Sequence, residues 1–168
     1  LSYLFSLINC HGEIFLVDYD VVEIPNCSSS LCFNAEHAFN KNYKTFVCKE
    51  QLQKSELVIK TYQEDYGQLI QKGIYSEYPP DIILCLANEK NIWQTIQYNY
   101  PPLVLHATTS PNWVINFGRH IPLKEWCIVC RFGISDYEFT PKCSEGVITS
   151  LEDNGTEKLG MLPFLAPG

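Results

Sequence analysis

The sequence predicts an α/β fold with a Rossmann-like, doubly wound and mainly parallel sheet. Three apolar runs carry this prediction, at residues 14–17, 81–86 and 103–107. Apolar runs of this length without polar alternation are typical of strands that are buried on both faces of a parallel sheet. Segments with helical spacing separate the runs, at residues 43–54 and 91–98. Alternating strands and helices indicate parallel strands joined by right-handed crossovers.

The other predicted elements are weaker. Residues through position 10 are expected to end a helix, with His11-Gly12 as its stop signal. Residues 57–62 alternate as a strand, and residues 64–75 predict a weak helix. Residues 113–117 alternate in the antiparallel style, which predicts a C-terminal antiparallel extension of the sheet.

Length, composition and charge narrow the class of protein. The chain has 168 residues, 46% of them hydrophobic and 18% charged, which suits one globular domain. The net charge is −7, and its 12 Lys and Arg residues are scattered, so we expect no nucleic-acid partner. No apolar run approaches the roughly 18 residues of a membrane span, so we expect no membrane partner. The chain starts within an apolar, helix-like segment, and we expect a fragment that is truncated at both ends.

The eight cysteines lack the compact spacing of a disulfide framework, which favours the reducing cytoplasm. Cys127-Ile-Val-Cys130 lies in a predicted irregular loop, residues 120–130. Two thiolates at this spacing can hold one tetrahedral ion, and a structural zinc site usually needs two such pairs. Cys143 and His120 are candidates for a third and a fourth ligand. Buried structural thiols are an alternative, and a redox pair is disfavoured because no βαβ unit surrounds the motif.

Two carboxylates, Asp18 and Asp20, follow the first apolar run, and the chain then breaks at Pro25 before a predicted polar loop at residues 27–30. In a doubly wound sheet, ligands bind beyond the carboxyl ends of the strands. An acidic residue at the end of the second strand commonly accepts hydrogen bonds from a ribose hydroxyl, and Asp18 is a candidate for that role. The alternative is that both aspartates end the strand and start a turn.

Five features follow one another in a characteristic order: Leu16-Val-Asp18-Tyr-Asp20-Val-Val-Glu23-Ile-Pro25-Asn26, Lys44, Leu84-Cys-Leu-Ala87-Asn88, Cys127-Ile-Val-Cys130 and Cys143-Ser-Glu145-Gly146-Val147. In this order they resemble the adenylation domain of the ThiF/MoeB/HesA family, bacterial relatives of the ubiquitin-activating enzymes. The resemblance covers about residues 1–165. It divides a single partial domain into a nucleotide-binding α/β part, residues 1–107, and a Cys-containing partner and crossover part, residues 108–168.

The resemblance implies a function. Family members use Mg-ATP to adenylate the C-terminal carboxylate of a ubiquitin-like or sulfur-carrier protein, often before thioester or persulfide transfer. It implies that Asp18 holds the ribose of ATP, that Asn26 and Lys44 contact its phosphates, and that Asp20 and Asn88 are also cofactor-binding residues. A homodimer in the cytoplasm is also implied.

Three more residues take roles from the resemblance. Cys143, beside Lys142, matches a nucleophilic cysteine, with an ordinary loop cysteine or a zinc ligand as alternatives. Cys127 and Cys130 match half of a structural Zn²⁺ site.

The chain also departs from the family pattern. The Gly-rich phosphate turn is absent, and serine, nearest Ser29, replaces an arginine. The magnesium-binding aspartate falls on Ala87. Asn88 or Glu89 could substitute for it, although a neutral amide is a poor ligand for a hard cation.

These departures keep two other functions open. One is a catalytically inactive protein of the same fold that acts as an interaction half. The other is a Rossmann-type oxidoreductase, in which the cysteine motifs would have no role.

Lys41 is an alternative to Lys44 for the phosphate contact.

Overall fold

The computed structural model describes residues 2–8, 10–109, 115–122 and 124–127. The described residues form two compact units, one extending through Asp65 and the other beginning at Tyr66. Helices accompany parallel and mixed sheets, which confirms the α/β class. Cys130 and Cys143 lie outside the described residues, and the division into parts 1–107 and 108–168 stays a prediction.

The first unit is a parallel strand pair with helices in its crossover. Its elements are α1 (Ser2–Phe5), β1 (His11–Val17), α2 (Ile24–Ser29), α3 (Ala35–Phe39), α4 (Lys44–Leu52) and β2 (Glu56–Tyr62). β1 and β2 pair in parallel, from His11 opposite Glu56 to Val17 opposite Tyr62. Helix α4 packs on both strands and buries Thr45, Val47 and Leu52. The strand predicted at residues 57–62 and the helix predicted at 43–54 are therefore present.

Three predictions for this unit were wrong in detail. His11-Gly12, expected to stop a helix, begins β1 instead, and Gly12 has a φ of +138° that favours glycine. The run at residues 14–17 is half-buried rather than buried on both faces. The polar loop expected at residues 27–30 is mostly the end of helix α2. Serine hydroxyls there donate to carbonyl groups of the preceding turn, so polar residues fit a helix.

The second unit is a three-stranded mixed sheet with helices. Its elements are α5 (Tyr66–Gln71), α6 (Ile74–Glu77), β3 (Ile83–Cys85), α7 (Lys90–Tyr98), β4 (Val104–Thr109) and β5 (Ile115–His120). β3 and β4 are parallel, and β4 and β5 are antiparallel. The predicted antiparallel extension is therefore present. The single weak helix expected at residues 64–75 is two short helices, because the chain turns at Gly73, where φ is +76°.

The core of the second unit lies between α7 and the sheet. It contains Cys85, Trp93, Ile96 and Val104, each less than a tenth exposed. The strand expected at residues 81–86 is only Ile83–Cys85, since its register with β4 ends at Cys85 opposite His106. Among the described residues, no helix combines the length and the apolar character that a membrane span needs.

Candidate functional site

Asp18 lies at the carboxyl end of the parallel strand pair. Its backbone N–H donates to the Tyr62 carbonyl at 3.1 Å, which continues the ladder one residue past β1. Its Oδ1 accepts from the backbone N–H of Asp20 at 2.8 Å, so the carboxylate also forms the turn that follows the strand. The turn role is therefore present. It does not exclude a ribose contact, because an ionised carboxylate has about four acceptor sites.

Asp20 and Lys44 are joined twice. The Lys44 ammonium Nζ lies 2.7 Å from Asp20 Oδ2, and the Lys44 backbone N–H donates to the Asp20 carbonyl at 3.0 Å. The two side chains are 20% and 38% exposed, respectively, so solvent reaches the pair but does not surround it. Lys44 is the first residue of α4, close to the start of the helix predicted at residues 43–54.

Backbone pairing fixes the start of α4 beside the strand end. Val22 donates its N–H to the Asn42 carbonyl at 2.8 Å, and Val21 forms an antiparallel bridge with Tyr43. The Val22 side chain is almost fully buried. The segment after β1 therefore runs against the residues that lead into α4, which brings together Asp18, Asp20 and Lys44. We call these three residues the strand-end cluster.

Asn26 is buried at the start of α2, in the same unit. Its Oδ1 accepts from the backbone N–H of Glu23 at 2.9 Å, and Glu23 in turn caps the helix. This reciprocal cap satisfies N–H groups that the first turn of a helix leaves unpaired. The side-chain oxygen of Asn26 thus serves the fold.

Sequence reasoning missed Glu23 as the N-cap of α2. The spacing of Glu23 and Asn26, with Pro25 in the first turn, is the signal that could have found it. It also missed the bond from Gln63 Nε2 to the buried Thr45 hydroxyl, 3.1 Å, which links the end of β2 to the first turn of α4. No short-range pattern marks that contact.

Asn88 belongs to the second unit. It is half-buried in the loop after β3, next to Ala87. The Ala87 carbonyl accepts from the indole N–H of Trp93 at 2.7 Å, a contact that anchors this loop to α7. Trp93 as a loop anchor was also missed, because it joins residues in a loop and a helix whose geometry the sequence does not specify.

Two residues beside Ala87 offer oxygen ligands to a metal ion: Asn88 has an amide, which is a weak ligand for Mg²⁺, and Glu89, the N-cap residue of α7, has a carboxylate. Within the described ranges, no group of three or more His, Cys, Asp or Glu side chains is placed to hold a metal ion. A magnesium ion at this loop stays a prediction.

The structure describes two of the residues that were considered for the predicted zinc site, Cys127 and His120. Cys127 is half-buried, and His120 is buried at the end of β5. Cys130 and Cys143 lie outside the described residues, so the zinc site and the Cys143 nucleophile stay predictions.

Two other thiols are poorly suited to chemistry. Burial raises the pKa of the Cys85 thiol to about 11, and burial also raises the pKa of the Cys48 thiol. A thiol acts as a nucleophile through its thiolate, which is scarce at neutral pH when the pKa is raised. Both are therefore poor candidates for a nucleophile.

An open depression of about 530 Å³ lies near the start of α4. Its lining consists of Lys41, Asn42, Tyr43, Phe46, Lys49, Glu50 and Gln53. The strand-end cluster is not part of this lining. Lys41 thus belongs to the depression, while Lys44 belongs to the cluster.

Comparison with known proteins finds solved structures with a similar fold. No protein-family model matches the chain, and no curated protein matches it. Solved structures of E. coli MccB do match, one with a TM-score of 0.59 and 19% identity over 79% of this chain and 38% of MccB. A second, with AMPCPP and MccA, gives 0.57 and 21% over 71% and 36%. The Microcin C7 biosynthetic enzyme MccB in complex with N-formylated MccA gives 0.55 and 20% over 78% and 39%.

These likenesses, at 19–21% identity, show that the chain shares the fold of MccB. The chain spans well under half of the length of MccB.

Proposed function

We propose that this protein uses ATP to adenylate the C-terminal carboxylate of a peptide or small protein. The observation that carries this proposal is the strand-end cluster. A carboxylate, Asp18, lies at the carboxyl end of a parallel strand, and a lysine, Lys44, lies at the start of the helix that packs there. The MccB-like fold supports the same conclusion.

The residues of the cluster have the chemistry that a nucleotide requires. Ribose hydroxyls are hydrogen-bond donors, and Asp18 is an acceptor in the position where α/β nucleotide sites commonly have one. Phosphate oxygens are anionic acceptors, and Lys44 is a cationic donor. The amide nitrogen of Asn26 is a second donor for the phosphates. The proposal therefore assigns the ribose to Asp18 and the phosphates to Lys44 and Asn26.

The reaction follows from these contacts. A carboxylate oxygen of the tail attacks the α-phosphorus of ATP and forms a new P–O bond. The bond from the α-phosphorus to the oxygen bridging it to the β-phosphate breaks, and pyrophosphate leaves with that electron pair. The product is an acyl adenylate. Lys44 offsets the negative charge that develops on the transferred and leaving phosphates.

The proposed partner is a protein or peptide tail with a free carboxylate. Its support is that MccB has been solved with AMPCPP, an ATP analogue, together with the peptide MccA. A ubiquitin-like or sulfur-carrier protein is the partner that the family resemblance implies. Transfer of the acyl group to the Cys143 thiolate, with release of AMP, would give a thioester. Persulfide transfer, a zinc site at Cys127 and Cys130, a homodimer and a cytoplasmic location are part of the same proposal.

Exchange of labelled pyrophosphate into ATP tests the reaction. The full-length protein is incubated with ATP, labelled pyrophosphate and a peptide that carries the partner's C-terminal tail. We expect exchange with the free-acid peptide and none with the same peptide amidated at its C-terminus. Asp18→Asn should weaken exchange. Absence of exchange together with absence of ATP binding by calorimetry would refute the proposal.

A second candidate is an inactive interaction half of the same fold. Two observations favour it: Ala87 stands where the family has its magnesium-binding aspartate, and Ser29 donates its hydroxyl to the Asn26 carbonyl where the family has an arginine. The same assays separate the two functions. An inactive half with a retained site would bind ATP, or the partner tail, without any pyrophosphate exchange.

A further inference from the structure

We infer that Asp20 is a positioning residue, which holds the Lys44 ammonium at the phosphate end of the nucleotide site and does not itself contact ATP. This inference rests on the proposed function. It assigns Asp20 a different role from Asp18, although the two aspartates are only two residues apart.

Both backbone groups of Asp20, its N–H and its carbonyl, form hydrogen bonds that fix the residue in place. Its backbone N–H donates to Asp18 Oδ1 at 2.8 Å, and its backbone carbonyl accepts from the Lys44 N–H at 3.0 Å. The next residues pair with the segment before α4, through Val22 and Asn42. The position of the Asp20 carboxylate is therefore set by the backbone of the turn and of the helix start.

Lys44 gains a defined position from this carboxylate. A lysine ammonium sits on a flexible four-carbon stem and would otherwise sample many rotamers. The 2.7 Å contact with Asp20 Oδ2 holds it while its side chain is only 20% exposed. An ammonium has three N–H donors, and one of them goes to Asp20. The pair thus orders the cation before a phosphate arrives, which lowers the entropy lost on binding.

A direct contact between Asp20 and ATP is disfavoured by charge. A carboxylate repels phosphate oxygens, and it can accept only from the ribose hydroxyls or the adenine amine. Asp18 already lies at the strand end, where the ribose contact is expected. Asp20 Oδ2 instead contacts the one cation of the strand-end cluster. Its effect on ATP therefore passes through Lys44 and depends on the phosphates.

Calorimetric binding of ATP and of adenosine to the full-length protein separates these roles. We expect Asp20→Asn to weaken ATP binding about tenfold and to leave adenosine binding unchanged. Asp18→Asn should weaken the binding of both ATP and adenosine. In a Lys44→Met background, Asp20→Asn should cause no further loss, because a residue that acts through Lys44 has no effect once Lys44 is gone.

A matched control is available in the same unit. Glu13 and Lys60 form an ion pair of 3.2 Å between β1 and β2, and Glu13→Gln makes the same acid-to-amide change. We expect Glu13→Gln to leave ATP binding unchanged. Asp20→Glu, which keeps the negative charge, should bind ATP more tightly than Asp20→Asn, and this variant also serves if Asp20→Asn folds poorly.

Three results would overturn the inference while the proposed function stands. They are a loss of adenosine binding in Asp20→Asn, a further loss of ATP binding when Asp20→Asn is added to Lys44→Met, and ATP binding by Asp20→Asn that equals or exceeds that of the unaltered protein. If the unaltered protein binds neither ATP nor adenosine, the proposed function itself fails.

Discussion

Replacing Trp93 by phenylalanine removes the bond that anchors the loop after β3. The Trp93 side chain is 7% exposed, and its indole N–H donates to the Ala87 carbonyl at 2.7 Å. Phenylalanine keeps an aromatic ring but has no N–H, so the carbonyl loses its donor. An acceptor left without a partner costs about 1–3 kcal/mol when it is fully buried, and Ala87 is half-buried, so we expect about 1 kcal/mol. The smaller ring leaves a cavity that adds about 1 kcal/mol, for a total of about 2 kcal/mol.

Urea denaturation followed by circular dichroism measures this loss as a lower midpoint with an unchanged slope. For a chain of this length the corresponding fall in Tm is about 4–8 °C. Trp126→Phe is the matched control, because Trp126 is 78% exposed and the chemical change is identical. We expect the control to lie within about 0.5 kcal/mol of the unaltered protein. Equal stabilities for the two variants would refute the anchoring role of Trp93.

The remaining predictions concern caps, thiols and metal. Asn26→Ala and Asn34→Ala each remove a helix cap and should each lower the free energy of unfolding by about 1 kcal/mol. Only Asn26→Ala should also weaken ATP binding; equal weakening by both would contradict the phosphate contact. Iodoacetamide at pH 8 should leave Cys85 unmodified in the folded protein, as measured by peptide mass spectrometry, because burial raises the pKa of its thiol to about 11. Equal alkylation of Cys85 in the folded and the unfolded protein would contradict this prediction. Because the pKa of the Cys85 thiol is raised from 9.0, its contribution to the free energy of unfolding is present below about pH 9 and is lost as the pH rises towards 11. Metal analysis of the full-length protein should find zinc, and Cys127→Ser should lower both the zinc content and the Tm; no zinc with an unchanged Tm would exclude the half-site.

Local patterns in the sequence predicted much of what positions the site. The apolar run that ends at Asp18 marks the strand end, since such a run is a short-range signal. Short-range patterns also marked the region where α4 begins, at Lys44, and the alternating strand β5, which is antiparallel to β4. Asp18 was interpreted from the sequence either as a turn former or as a ribose ligand. The structure shows the turn bond, and the ribose contact stays a prediction.

Contacts between distant residues could not be predicted in this way. The Asp20–Lys44 pair joins residues that are 24 positions apart, and it depends on how the crossover folds back onto the strand end. The Trp93–Ala87 bond likewise depends on the packing of α7 against the loop. The serines after Pro25 resemble a loop in sequence, but the cap formed by Glu23 and Asn26 lets a helix form there. Each miss reflects a tertiary or capping contact that overrides local preference.

ATP affinity of Lys44→Met compared with Lys41→Met tests the strand-end cluster most directly. Both changes remove one lysine charge near the start of α4, but Lys44 contacts Asp20 and Lys41 lines the open depression. A hydrogen bond from a charged donor is worth about 1.5–3 kcal/mol, which corresponds to about a 10- to 150-fold loss of affinity. By calorimetry on the full-length protein, we predict a loss of this size for Lys44→Met and a change within about twofold for Lys41→Met. Equal losses, or a larger loss for Lys41→Met, would contradict a nucleotide site at the end of β1.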